Sequence, residues 1–396
     1  MKWFRDIGPG VLIAAAFIGP GTVTLCTIAG ASFGYSLIWA IVLSTFSTIV
    51  LQEMSLRIGL ITKMNLAEVI RINIKSKFIN RLLLILIISS ILVGNAAYEA
   101  GNITGASLGI SAILNSQSIN YIPILIGLIA FIILYQGDYK ILERILVLLV
   151  LIMSISFFIT AIMTKPKISS LINGIISPEL NSSNLMVVLG LIGTTVVPYN
   201  LFLHSSLVSE KWSSLDKLKV ARFESFFSIL IGGLVSLSII ITAASVNNKD
   251  VNGVIDLARG LEPLYGRFAI YFLGIGLFAS GITSSITAPL AAAYVAKSCF
   301  GWDDSLKSLK FRAIWIIILV IGVIVSMIKI NPIEIIKFAQ FSNSLLLPII
   351  AIILLWLINN NNIISSKYRY KFQNYLGFVI VIVSLILGAK GLISLI

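Results

Sequence analysis

Apolar residues fill this chain in long runs, at about residues 8–29, 37–56, 82–112, 122–136, 145–164, 185–208, 223–245, 264–296, 312–329, 333–358 and 375–395. About 20 apolar residues in a helix cross the hydrocarbon core of a bilayer. Lipid offers backbone groups no partner, so a run of this kind must satisfy them within its own helix. The pattern therefore predicts an all-α polytopic membrane protein of about eleven transmembrane helices. The longest weakly apolar gaps, near 165–184 and 246–263, are about 20 residues each and too short for a soluble domain. Asn359 to Asn362 reads as a plain polar linker.

Composition agrees and narrows the classes. Of 396 residues, 58% are hydrophobic and 11% charged, with a mean hydropathy of +1.02. The net charge of +13 raises nucleic acid as a partner, but the basic residues sit in short gaps between apolar runs and form no basic domain. Topology accounts for them better. With the N-terminus cytoplasmic, about 21 Lys and Arg, Arg57 and Lys297 among them, fall in inside segments and about seven outside. The expected orientation is N-terminus in, C-terminus out, in the plasma membrane of a bacterium. Lys2, Arg5 and the small residues Ala14 to Ala16 resemble a signal peptide. The Gly and Pro within that stretch favour a retained first helix. Two cysteines, Cys26 and Cys299, and one histidine, His204, leave no disulfide framework and no multi-His zinc centre. No cofactor is implied.

Two runs are interrupted at corresponding places. Gly19-Pro20-Gly21-Thr22 falls inside the first and Val197-Pro198-Tyr199-Asn200 inside the sixth. Proline removes a backbone donor and clashes with the preceding turn, so each helix should unwind there and free carbonyls and N–H groups at membrane depth. Paired discontinuous helices that open two five-helix sets mark alternating-access transporters, which bind substrate between the breaks. The expected organisation is an inverted repeat at 1–164, its counterpart at 185–358, and an added helix at 375–395. Thr22 and Asn200 are the expected N-caps of the half-helices that follow.

These residues resemble the natural-resistance-associated macrophage proteins (NRAMP), secondary transporters of divalent metals with a leucine-transporter-like fold. The matching stretches are Gly8-Pro9-Gly10 with Gly19-Pro20-Gly21-Thr22, Phe33-Gly34-Tyr35 with Leu37-Ile38-Trp39, Gly193 to Asn200 with Leu203-His204-Ser205, and Ala339-Gln340 with Leu347-Pro348. The resemblance implies a substrate site of Gly19, Pro20, Gly21, Thr22, Thr194, Val197, Pro198, Tyr199, Asn200 and Gln340. It implies coupling residues at Glu99, Asn102 and His204.

The chain departs from the family where metal is held. The family's first-helix Asp falls on Gly19 and its Asn on Thr22; its sixth-helix Met falls on Val197 and the following His on Tyr199. A carbonyl near Thr194, the Thr22 hydroxyl and the Gln340 amide remain, with no formal negative charge. Hard divalent ions favour carboxylate oxygens and softer ones nitrogen or sulfur. High-affinity manganese or iron transport is therefore not expected, and two substrates stay open. One is a hydrated, magnesium-like cation held by carbonyls and water. The other is a small anion such as bicarbonate on the half-helix N-termini after Pro20 and Pro198.

Other polar positions inside the runs are few. Asn95, Glu99 and Asn102 share one helical face, with Gly94, Gly101, Gly105 and Gly109 permitting close packing. By the resemblance, Glu99 matches the first acid of a proton route and Asn102 stands where the second would be. A static hydrogen bond is the equal alternative for Glu99, and for His204. Lys337, Gln340 and Asn343 or Ser344 lie on one helical face, where Lys337 is expected to snorkel to the surface and Gln340 to line the path. Ser280, Thr283, Ser284 and Thr287 offer hydroxyls for a coupling sodium, although small residues at helix contacts give the same pattern. Gly137-Asp138 has no second intramembrane aspartate and His204 no serine motif, so no enzyme is expected. A channel remains the alternative of another class.

Overall fold

The computed structural model describes residues 9–10, 18–114, 121–136, 140–212, 214–246, 251, 253–302, 307–328 and 330–393, with the backbone alone at 140–144 and 146. Lys2, Arg5, Gly8, Ala14 to Ala16, Gly137 and Asp138, and the side chains of Lys140 and Arg144, lie outside the described residues. Among the described residues every regular element is helical, as a chain surrounded by lipid requires. The main helices are α1 (Pro20–Phe33), α2 (Ile38–Thr62), α3 (Leu66–Asn73), α4 (Lys77–Leu114), α5 (Ile122–Gln136), α6 (Lys140–Met163), α7 (Ile168–Ile176), α8 (Leu185–Thr195), α9 (Pro198–Lys211), α10 (Leu218–Ala244), α11 (Ala269–Phe300), α12 (Leu309–Ser326), α13 (Pro332–Asn359) and α14 (Lys371–Ile393).

Each of the eleven apolar runs carries a helix, but not every helix is a full span by itself. Among the described residues eight stretches, α8 with α9 counted as one, are long and apolar enough to cross a bilayer, or nine if α6 and α7, bent by 115° at their junction, count together. The 15 residues of α5 rise only about 22 Å, less than a hydrocarbon core of about 30 Å. Of the first run, residues 9–10 and Pro20 onward are helical among the described residues.

Short elements also occupy the gaps between the apolar runs, α3 and α7 among them. Asn65 caps α3 by accepting from the Glu68 N–H at 3.0 Å, and α7 packs Gly174 closely on the Tyr35 backbone. Arg57, counted above as a loop cation, instead lies inside α2 and is fully buried. Its guanidinium is held by Glu53 one turn earlier, at 3.0 Å. Lys297 likewise lies within α11.

The centre of the molecule is the pairing of α4 with α11, flanked by α12 and α13 on α4. Glycines set its closeness. Gly109 of α4 meets Gly274 of α11, Gly101 meets Ala339 of α13, and Gly105 leaves room for Pro20 at the start of α1. Without a hydrophobic gain between helices already in lipid, such small-residue contacts are what dispersion needs to hold them. Around that pair, α1 packs on α10, α8 on α13, and α9 on α2.

Candidate functional site

Both expected breaks are present. α8 ends at Thr195 and α9 starts at Pro198, with Val196 and Val197 outside helical geometry. At the other break, Gly19 is extended (φ −116°, ψ −174°) and Pro20 opens α1. Proline suits a first helical position, where its missing N–H costs no bond. The same missing N–H at Pro198 deprives the Thr194 carbonyl, four residues earlier, of its helical donor.

The expected caps are not formed. Gly19 and Val197 hold the N-cap positions, and neither α1 nor α9 has a side-chain cap. Thr22 and Asn200 sit one turn's third residue inside instead, because proline fixes the first helical position at Pro20 and Pro198. Thr22 thereby turns toward the opposite break, where its hydroxyl is 2.8 Å from that of Thr194. Asn200 is 1% exposed, and neither its amide nitrogen nor its oxygen has a hydrogen-bond partner.

Three more helices converge on these breaks. From α13, Gln340 lies against both: a Cβ at Gly21 would overlap its side-chain amide, and one at Gly193 its backbone carbonyl. The Gln340 Oε1 is buried without a partner. From α11, the Ser284 Oγ would be 3.2 Å from a Cβ on Gly19, and from α4 the Tyr98 hydroxyl 4.0 Å from it. Tyr98 meets Tyr199 edge to face with ring centroids 5.5 Å apart. Gly19, Pro20, Gly21, Thr22, Thr194, Tyr199 and Gln340 are thus brought together, while Val197 and Pro198 form the turn that exposes them.

The residues expected to couple, Glu99, Asn102 and His204, make contacts of their own beside this cluster. Glu99, fully buried, directs its side chain toward α12, where Gly322 makes room for it. The Asn102 Nδ2 donates to Glu99 Oε2 at 3.3 Å, and Oε1 has no partner. His204 bonds through Nδ1 to Gln52 Oε1 of α2 at 2.8 Å and leaves Nε2 without one. Lys337 pairs with Glu334 at 2.8 Å on the partly exposed first turn of α13. Asn95 donates to the Ala288 carbonyl at 2.7 Å, a helix-to-helix tie.

Tyr98 was missed by sequence reasoning, although Asn95, Tyr98 and Asn102 repeat at three and four residues and so share a face. An aromatic ring in an apolar run gives no polar signal by itself. Ser284 was seen only as one hydroxyl among four. Among the described residues no group of three His, Cys, Asp or Glu is placed to hold a metal, and both cysteines are free and buried. The site is therefore a neutral set of hydroxyl, amide and carbonyl groups.

The model of the natural resistance-associated macrophage protein-like family matches residues 10–394. The chain belongs to that family. One relative is the divalent metal cation transporter MntH of Staphylococcus aureus, 26% identical over 98% of this chain and 90% of the relative. Among solved structures, the manganese transporter of Eremococcus coleocola superposes with a TM-score of 0.80, at 20% identity over 98% of this chain and 85% of that one. Mhp1, a nucleobase-cation-symport-1 family transporter, superposes with a TM-score of 0.61, at 16% identity over 98% and 90%. This family member accordingly has the leucine-transporter-like fold with helices 1 and 6 broken, and it is a multi-pass membrane protein.

Proposed function

We propose that this family member is an alternating-access carrier of a small divalent metal cation, taken up with part of its water shell rather than fully stripped. Membership of the family and its metal-transporting relatives support the metal. The neutral site supports the retained water. A bare divalent charge moved into low dielectric needs anionic partners to offset its desolvation, whereas magnesium gives up its waters reluctantly and accepts neutral oxygens around them. The observation that carries this reading is the set of buried polar atoms without partners at the two breaks: Ser284 Oγ, Gln340 Oε1 and both amide atoms of Asn200. Buried polar groups are nearly always satisfied, and these, gathered at the two breaks, offer hydrogen bonds to a polar substrate.

On this reading the repeats run over 1–164 and 185–358 with an added helix at 375–395, and the N-terminus is cytoplasmic. Glu99, with Asn102 beside it, carries the coupling proton. Uptake into proteoliposomes, followed with a magnesium dye, a manganese quench dye and a pH dye, tests it. Saturable magnesium uptake that exceeds manganese uptake is expected. Bicarbonate uptake without any divalent cation would favour the small anion, and non-saturating currents a channel.

A further inference from the structure

We propose that Ser284 of α11 is a substrate-binding residue whose hydroxyl, beside Gly19 at the first break, holds a water of the hydrated cation. The inference rests on the hydrated-cation reading above and names the residue that makes it specific.

Three observations converge. First, position 19 carries no side chain, and what faces it is polar: Ser284 Oγ at 3.2 Å and the Tyr98 hydroxyl at 4.0 Å from where a Cβ would stand. A water of the cation's shell held by these two hydroxyls has three polar contacts with the cation counted, within the two to four that an ordered buried water makes. Second, Ser284 does not use the bond its helix offers. Ser280, Thr283 and Thr287 donate to carbonyls of their own helix, at 3.3, 2.8 and 2.8 Å, the usual resort of hydroxyls in apolar helices. Ser284 Oγ is fully buried and has no partner. A hydroxyl that leaves this local option unused is placed for something else.

Third, the backbone at Gly19 is not one that demands glycine. Its φ of −116° suits any residue, so no turn requires glycine here, and what a side chain would meet is the Ser284 hydroxyl. That contact lies between α1, which starts at the break, and α11, the helix most closely paired with α4. A cation whose water bridges Gly19 and Ser284 would tie the broken helix to that central pair.

The test uses the full-length protein in proteoliposomes, with magnesium and manganese as the probes and Ser284→Ala, Ser284→Thr and Gly19→Ala as variants. Loss of one water-mediated contact should raise the magnesium KM about tenfold in Ser284→Ala with little change in maximal rate, and should narrow the preference for magnesium over manganese. Ser284→Thr keeps the hydroxyl and should retain most of the affinity. Gly19→Ala brings a methyl to within 3.2 Å of Ser284 Oγ, crowds that hydroxyl and should reproduce the Ser284→Ala selectivity shift. An unchanged magnesium KM and unchanged selectivity in Ser284→Ala, with wild-type uptake intact, would overturn the role of Ser284 alone. Absence of divalent uptake by the wild type would instead overturn the proposed function. Thermal unfolding of each variant in detergent separates loss of fold from loss of site.

Discussion

At Gly19 a single side chain separates two chemistries. An aspartate there would project toward Ser284 Oγ, which must yield by only a few tenths of an ångström, and the extended backbone accepts it without strain. Gly19→Asp combined with Val197→Met supplies the carboxylate and thioether that transition metals favour. The double variant is expected to bind manganese at least tenfold more tightly than the wild type by calorimetry. Tight manganese binding by the wild type itself would show that these positions do not set selectivity. Glu99 offers a second test at this scale. Glu99→Gln keeps the shape and the Asn102 contact but removes the titratable group. Driven uptake is expected to slow by an order of magnitude or more while metal affinity stays within a few-fold, and proton movement in the pH dye should vanish. Equal rates with the same pH response would make Glu99 structural.

The element that matters most is the sixth run, split into α8 and α9, and its neighbour α2 reads the split almost residue by residue. Thr48 donates to the Thr195 carbonyl at 3.2 Å, Gln52 bonds His204 at 2.8 Å, and Ser55 donates to the Leu201 carbonyl. These three positions recur at four and three residues, on one face of α2. The broken half-helix is thereby held by side chains where its own ladder is interrupted. Pro198→Ala restores a donor opposite the Thr194 carbonyl and removes a residue about 3 kcal/mol unfavourable in a continuous helix. The variant is expected to unfold at a temperature no lower than the wild type and to transport at least tenfold more slowly. Uptake at the wild-type rate would show that the break at Pro198 is not what carries substrate past this helix.

At the scale of the whole molecule, one buried ionic cluster joins parts far apart in sequence. Glu53 of α2 binds Arg57 at 3.0 Å and accepts from Arg222 Nε of α10 at 2.7 Å. Arg57 also donates to the Tyr368 carbonyl at 2.6 Å, and the Tyr370 ring lies 4.9 Å from the Arg57 guanidinium and 4.2 Å from that of Arg222. Breaking such a pair costs more than never having it, because the surviving charge stays buried alone. Glu53→Ala is expected to lose about 3–5 kcal/mol, visible as a lower unfolding temperature in detergent. Glu53→Ala with Arg57→Met removes the fully buried cation with its partner and leaves only Arg222, whose side chain is 24% exposed, so it should recover most of that loss. A double variant as unstable as the single one would mean that the charges act separately.

Much of this architecture is fixed locally and was therefore readable in the chain. Lipid forces helices, so run length alone located them, and proline forces a break, so Pro20 and Pro198 located the site's two walls. What faces Gly19 was not readable in full. Ser284 and Tyr98 lie on two helices remote in sequence from Gly19, and periodicity within a helix says which face a residue shares but not which partner that face meets; Gln340 was named in advance only through the resemblance. The same limit hid Arg57, whose charge suggests a loop until Glu53, Arg222 and Tyr370 are seen around it. The caps at Thr22 and Asn200 failed for a related reason: the residue types were right, but proline set the helix start and packing turned Thr22 toward Thr194 instead. The sequence by itself determined helices, breaks and family, since each follows from neighbours along the chain; which buried oxygens meet between the breaks was decided only by the tertiary packing of α1, α4, α8, α11 and α13.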